Sequence, residues 1–315
     1  MLPPLKMGIP NLEYMAQILT DRAKDDPNLM IVTSDSRGSG RVTRFGEQFP
    51  RQIIEVGIAE QDSVGISAGL ASCGKKVFTV SPGSFLSARS FEQVKNDVAY
   101  SNNPVALLGI SSGVSYGGLG ATHHSVHDIA ALMAVPNLDL CVPADNFETE
   151  MVLDSYLQHP RPIYVRFGKK AMPLFYQSAS EVEFGKAGIL HHGSDILIIA
   201  SGETLQPAYE GASALEAEGI RTGLISLHSL RPLDKSTILE MAASAKAVIT
   251  LEEHSIYGGL GSIVASWLMQ QRLFRPIKML AFPNEDLVTG SQTDLFNHYG
   301  ISVSGITAAA AELLR

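Results

Sequence analysis

Short, unbroken apolar runs recur along the chain, each bounded by turn-forming residues. Between them lie longer stretches in which apolar positions return every third or fourth residue. The runs Met30–Thr33, Val77–Val80, Val105–Ile110, Leu138–Val142, Ile163–Arg166, Asp195–Ala200, Gly223–Ser226 and Val248–Leu251 predict buried strands. Helices are predicted at Tyr14–Ala23, Asp62–Ala71, Phe91–Tyr100, Asn146–Gln158, Pro207–Glu218 and Ser262–Gln271. A strand that is apolar on both faces needs cover on both faces, which parallel sheets obtain from the helices that connect their strands. The pattern therefore predicts an α/β fold with largely parallel, doubly wound sheets. The periodicity lapses at Lys170–Gly185, read as a linker between two such units, 1–172 and 184–315.

Composition narrows the function. The 315 residues are 45% hydrophobic and 18% charged, as in a folded soluble protein. A net charge of −8 argues against a nucleic-acid partner, since little would neutralise a run of phosphates; the local cluster Arg37, Arg41 and Arg44 could still hold a small anion. The two cysteines, Cys73 and Cys141, lie in apolar surroundings and read as buried free thiols of a reducing compartment. The N-terminal stretch lacks the apolar core of a signal peptide, and no run is long enough to span a membrane. A cytoplasmic protein with no membrane partner is expected.

The segment YGGLG occurs at Tyr116–Gly120 and again at Tyr257–Gly261. Both lack the third glycine of a dinucleotide-binding fingerprint, so each reads as a tight turn or a close backbone approach. The first runs straight into Thr122-His123-His124, with His127 beyond, although H-H-x-x-H matches no familiar metal frame and no metal ligands are assigned. In Val56-Gly57-Ile58-Ala59-Glu60-Gln61 a carboxylate opens a helix of small residues. Two readings stay open there: a surface acid favoured by the helix dipole, or a buried acid, which desolvation would keep neutral and able to share a proton.

Three strings make the pattern specific: VGIAEQDSVGISAGLASCGKKVF, SFLSARSFEQVKNDVAYSNNPV and GATHHSVHDIAALMAVPNLDLCVPAD. In order and spacing they resemble the pyrimidine-binding domain of the transketolase superfamily. The later segments GSDILIIASGETLQPAYEGA, LISLHSLRPLDKSTI and VITLEEHSIYGGLGS resemble that family's C-terminal domain. The resemblance covers nearly the whole chain from about residue 10.

It implies two doubly wound domains, a thiamine-diphosphate pyrimidine-binding fold followed by a transketolase C-terminal-like domain. It also implies roles for named residues. Glu60 takes the place of the glutamate that hydrogen-bonds the cofactor's pyrimidine ring, which lets the ring's exocyclic nitrogen act as a base. Phe85 falls where an aromatic packs on the pyrimidine, and Arg89 belongs with these cofactor-binding residues; three positions before Phe85 the family often has a second aromatic, here Pro82. His123 matches the histidine of the G-x-T-H segment near the reactive carbon. Arg166 resembles an arginine that clamps a sugar phosphate, and Ser39 could assist from the loop after Asp35.

Departures from the family pattern bear on the substrate. Gly118 and Leu119 stand where many members carry an acidic pair, and Ser111 replaces an expected histidine. Without a carboxylate acceptor a polyhydroxyl ketose loses hydrogen bonds, so a branched, deoxygenated or sulfonated ketose is expected as donor. No G-D-G segment is found for the diphosphate and its Mg²⁺. The expectation is a split transketolase: a separately encoded N-terminal-type subunit holds Mg²⁺ and the diphosphate, and an α₂β₂ heterotetramer transfers a two-carbon ketol unit from a ketose phosphate to an aldose. Three alternatives share the domains: a deoxyxylulose-phosphate-synthase-like carboligase, a 2-oxoacid dehydrogenase β subunit, and an inactive interaction subunit.

Overall fold

A computed structural model describes residues 2–315. In the N-terminal half the strands are β1 (Met7–Pro10), β2 (Leu29–Thr33), β3 (Ile53–Glu55), β4 (Lys76–Pro82), β5 (Val105–Ile110), β6 (Asp139–Cys141), β7 (Ile163–Arg166) and β8 (Ala171–Pro173). The C-terminal half contributes β9 (Gly188–His191), β10 (Ile196–Ala200), β11 (Thr222–Ser226), β12 (Ser229–Arg231), β13 (Ala247–Ser255) and β14 (Ile277–Phe282). A seven-stranded sheet runs β12-β6-β7-β5-β4-β2-β3, and a five-stranded sheet runs β14-β13-β10-β11-β9. Within each, all pairings are parallel except those of β12 with β6 and β9 with β11.

Strand alternation builds the core. Leu29 and Ile31 of β2 enter one apolar cluster while Met30 and Val32 enter the other; Ile196 and Ile198 of β10 part from Leu197 and Ile199 in the same way. Both clusters contain residues of both units, so the two sheets share a continuous interior. The helix Asn146–Gln158 starts where Asp145 accepts the Glu148 amide at 2.9 Å, a side-chain cap on an otherwise orphaned donor. Tyr156 on that helix donates to the Pro104 carbonyl at 2.7 Å and ties it to the sheet.

Several features depart from the sequence reading. The stretch Lys170–Gly185 is no loose linker, because β8 pairs antiparallel with β1 and Met172, Phe175, Tyr176 and Val182 are buried. The second unit lends β12 to the first unit's sheet, where Ser229 pairs with Cys141. The predicted strand Val248–Leu251 continues as β13 to Ser255 and carries Glu252, Glu253 and His254 into the interior. The predicted helix Phe91–Tyr100 is a short α-helical turn, Phe91–Gln93, running into a π-helical segment, Val94–Tyr100. Cys141 is buried, but Cys73 caps the helix Glu60–Ser72 and is exposed, contrary to expectation. Among the described residues, no helix is long and apolar enough to cross a membrane.

Candidate active site

The carboxyl ends of β2, β4, β5 and β7 lie along one edge of the larger sheet, the edge where parallel α/β sheets gather ligand-binding loops. After β3 the chain turns at Gly57, whose φ of 72° suits glycine, and enters the helix Glu60–Ser72. Glu60 is that helix's first residue and is 1% exposed. From the end of β4, the helix Gly83–Ala88 presents Phe85, with Arg89 at its C-terminus. Arg89 donates through Nη1 to Glu60 Oε2 at 2.5 Å, and its guanidinium carbon lies 4.9 Å from the centroid of the Phe85 ring. Burial was one of the two readings open for Glu60; the structure adds a cation beside the buried carboxyl.

The line of contacts continues. The Phe85 and His123 rings meet edge-on with centroids 5.3 Å apart, and His123 meets Tyr116 in the same way at 5.4 Å. The Lys169 ammonium lies 3.9 Å from the Tyr116 centroid, a cation–π contact. Thr122 Oγ1 holds His123 Nδ1 at 2.9 Å. Burial, with nearby Arg41 adding to it, lowers the pKa of Lys169 below the usual lysine range. Glu60, Arg89, Phe85, His123, Tyr116 and Lys169 thus form a row running from a buried acid through aromatic faces to an ammonium.

The chemistry of this row suits an aminopyrimidine cofactor. Glu60 offers a buried carboxyl that can exchange its bond from Arg89 for a ring nitrogen, and Phe85 offers a flat apolar face. Nothing lies within 4 Å of where a Gly57 side chain would begin, so the surface leading to Glu60 is open. Ile58 beside it is 74% exposed, an unpartnered apolar side chain at the mouth. Pro82 ends β4 and supplies no second ring.

Arg166 is a correction. Its side chain is buried and turned inward: Nε donates to Asp128 at 2.9 Å, and Nη2 donates to the carbonyls of Ser125 at 2.9 Å and Glu253 at 2.7 Å. Burial alone would raise the pKa of Asp128, but Arg166 and its other partners hold it below the usual carboxylate range. Buried, with Nε and Nη2 engaged between the two units, Arg166 sits as a structural ion pair rather than an exposed phosphate clamp. Lys169, just beyond the end of β7, is the cation that reaches the row, and sequence reasoning missed both it and Tyr116. The usable signal was position: residues past a parallel strand's carboxyl end face the ligand edge, whereas residues within it face the core.

The side chains of the remaining candidates make no hydrogen bond or ring contact with the row. Ser111, at the end of β5, is buried with a φ of 51° and an unpartnered hydroxyl, the kind of backbone strain that clusters at functional sites. Ser39 bonds the Ser36 carbonyl at 3.3 Å in the loop after β2. Leu119 ends the turn Gly117–Leu119 and is 56% exposed. His124 is buried with Nε2 on the Gly117 carbonyl, whereas His127 is exposed, so these two and His123 have different surroundings.

The family model described as "Transketolase, pyrimidine binding domain" matches residues 8–173, and that described as "Transketolase, C-terminal domain" matches 185–306. A relative from Phocaeicola vulgatus, named as a subunit of an apulose-4-phosphate transketolase, is 43% identical over 298 residues, covering 94% of this chain and 95% of its own. A 6-deoxy-6-sulfo-D-fructose transketolase subunit from a Clostridium species is 32% identical over 251 residues, covering 80% of this chain and 78% of its own. A solved structure described as a split-gene transketolase, inactive β4 tetramer, superposes with a TM-score of 0.88 at 30% identity, covering 98% of this chain and 99% of that one. Two matched domains spanning most of the sequence, and relatives aligned nearly end to end, lead to one conclusion: the chain belongs to the transketolase family, as a transferase subunit made of its pyrimidine-binding and C-terminal domains.

Proposed function

We propose that the chain is the pyrimidine-side subunit of a split, thiamine-diphosphate-dependent transketolase that transfers a two-carbon ketol unit from a non-standard ketose phosphate to an aldose. The observation that carries this reading is the row from Glu60 to Lys169, which sets an acid, aromatic faces, an imidazole and an ammonium in sequence along one sheet edge. When bound, the cofactor supplies a nucleophilic carbon that takes up the ketol fragment. Glu60 holds a hydrogen bond to the pyrimidine, and Phe85 and Arg89 frame it. His123 donates to or accepts from the sugar oxygen next to the broken bond. Lys169, in place of Arg166, draws the donor's phosphate to the far end of the row.

The donor is read as branched, deoxygenated or sulfonated. Leu119 offers apolar surface where an acid would read hydroxyls, and two relatives are named for apulose 4-phosphate and a sulfo-deoxyfructose. Mg²⁺ and the diphosphate are assigned to a separately encoded partner subunit, in a cytoplasmic α₂β₂ assembly with the cofactor between chains. The test is reconstitution with a G-D-G-bearing partner, followed by a donor screen across straight-chain and branched ketose phosphates and sulfonated ketoses. Ketol transfer that needs both chains and thiamine diphosphate is expected, with preference for a non-standard donor. No transfer from any of them, or an equal rate on straight-chain donors, would overturn the reading.

A further inference from the structure

Behind the row lies a buried polar link that the reaction as described does not use. Gln292, the first residue of the helix Gln292–His298 in the second unit, donates through Nε2 to Glu203 Oε2 at 2.6 Å and to Glu253 Oε1 at 2.7 Å. All three side chains are buried. Each carboxylate in turn grips the backbone of the first unit. Glu253 Oε1 accepts the Val114 amide at 2.9 Å, and Glu203 Oε1 accepts the Lys170 amide at 2.8 Å. Val114 lies two residues before Tyr116, and Lys170 follows Lys169.

The fit leaves no slack. A side chain at Gly113 would begin 2.1 Å from the Glu253 carboxyl carbon, and one at Gly168 would begin 2.0 Å from a Glu203 oxygen. Both backbones are therefore pressed against the carboxylates. Arg166 stands beside Glu253, with Nη1 4.0 Å from Oε2, and partly balances the charge. A primary amide has two N–H bonds on one nitrogen, so it can serve two carboxylates at once; neither an acid nor an apolar residue of the same length can.

We infer that Gln292 is a positioning residue: by clamping Glu203 to Glu253 it sets the distance between the segment carrying Tyr116 and His123 and the segment carrying Lys169. The proposal rests on the transketolase reading above and gives the second unit a part in it. The direct contact across the gap is the Lys169–Tyr116 pair, and the clamp lies behind it. Loosening the clamp lets the ammonium drift from the position where a donor phosphate meets it, while the Glu60 end of the row is untouched.

Two measurements test this. The first is hydrogen–deuterium exchange on the full chain, comparing wild type with Gln292→Met and with Gln292→Asn, whose amide is too short to reach both acids. Faster exchange concentrated in 112–124 and 167–171 is expected, together with a lower melting temperature because two buried carboxyls lose their shared donor. A change in only one segment, in neither, or throughout the chain overturns the proposal. The second uses the reconstituted enzyme: Gln292→Met is expected to raise KM for the ketose phosphate about tenfold, with kcat on the short unphosphorylated donor hydroxypyruvate within about twofold. In Lys169→Met the further change Gln292→Met is expected to add little, because both act on one contact. Loss of kcat on both donors, or full additivity, assigns Gln292 a merely structural role and overturns the proposal. Should the reconstituted wild type show no ketol transfer, the functional reading fails by itself and the exchange measurement decides the clamp.

Discussion

Arg89 reaches across the face of Phe85 to donate to the buried carboxylate of Glu60 at 2.5 Å, so the acid at the head of the site already has a partner in the isolated chain. The pair is lopsided: the Glu60 side chain is 1% exposed, whereas that of Arg89 is 44% exposed. Water can take over from Glu60 as a partner of Arg89, but nothing comparable can replace Arg89 for Glu60. Arg89→Met is therefore expected to destabilise the chain by about 1–2 kcal/mol, through a buried charge left alone, discounted for solvent at the arginine end. Glu60→Gln in the same background is expected to recover most of that loss. Denaturant melts of the two single variants and the double variant check this, and simple additivity would contradict it.

The same carboxylate is expected to matter more for turnover than for folding. In the reconstituted enzyme, Glu60→Gln keeps the shape and loses the acid, and a fall in kcat of about 10²-fold or more is expected for a proton-handling group. The chain's melting temperature should move by only a few degrees. Turnover within a factor of two of wild type would remove Glu60 from the chemistry.

Much of this architecture is legible in the sequence where one physical requirement dominates. Val105–Ile110 and Ile163–Arg166 are central parallel strands buried on both faces, and they read as unbroken apolar runs. Asn146–Gln158 has a side-chain cap at Asp145 and ends as predicted. Legibility fails where tertiary context decides. Three-residue β12 is too short to leave a pattern, and the polar end of β13 is buried where Arg166 and Gln292 pair with Glu253, partners far away in sequence. Glu60, Phe85 and His123 could be named from motifs, but their order in space could not. Tyr116 meets Lys169 because β5 and β7 are neighbours, a fact of sheet order that no local window contains. Arg166 misled for a related reason: an arginine ending a strand reads as a ligand until the second unit is packed against it.

Stability should depend on pH in a direction set by the buried acids at the end of β13. Burial pushes the carboxyl of Glu252 up to about 7, against backbone bonds from Gly261 and Leu260, and burial together with Glu203 pushes Glu253 up to about 7. Between the ordinary value of 4.5 and about 7 the folded chain binds more protons than the unfolded one, so stability falls as pH rises through that window. His254 acts in the opposite sense: burial lowers it from 6.5 to about 4, so stability also falls as pH drops below 6.5. Above 6.5 the carboxyls act unopposed by this histidine. Melting temperature is expected to decline from pH 6.5 to 8, and Glu252→Gln is expected to flatten that decline, the part of the shift that titrates in this interval being worth about 1 kcal/mol. A melting temperature that rises over the same interval would refute the assignment.

Leu119 provides the sharpest test of the donor. It sits at the end of the turn Gly117–Leu119, following Tyr116 and preceding His123 on the same loop, with over half its surface open. A carboxylate there could accept hydrogen bonds from the hydroxyls of a straight-chain ketose; leucine instead favours a donor with fewer hydroxyls or a branched carbon skeleton. Because the side chain is exposed, Leu119→Asp leaves no cavity and buries no charge, so folding should be unaffected. One well-placed hydrogen bond to a charged acceptor is worth about 1.5–3 kcal/mol. The ratio of kcat/KM for straight-chain over branched ketose phosphates is thus expected to rise about tenfold or more, measured with both donors competing in one reaction. A ratio unmoved by the substitution would mean that Leu119 does not face the sugar, and the donor preference would have to be sought at another residue of the row.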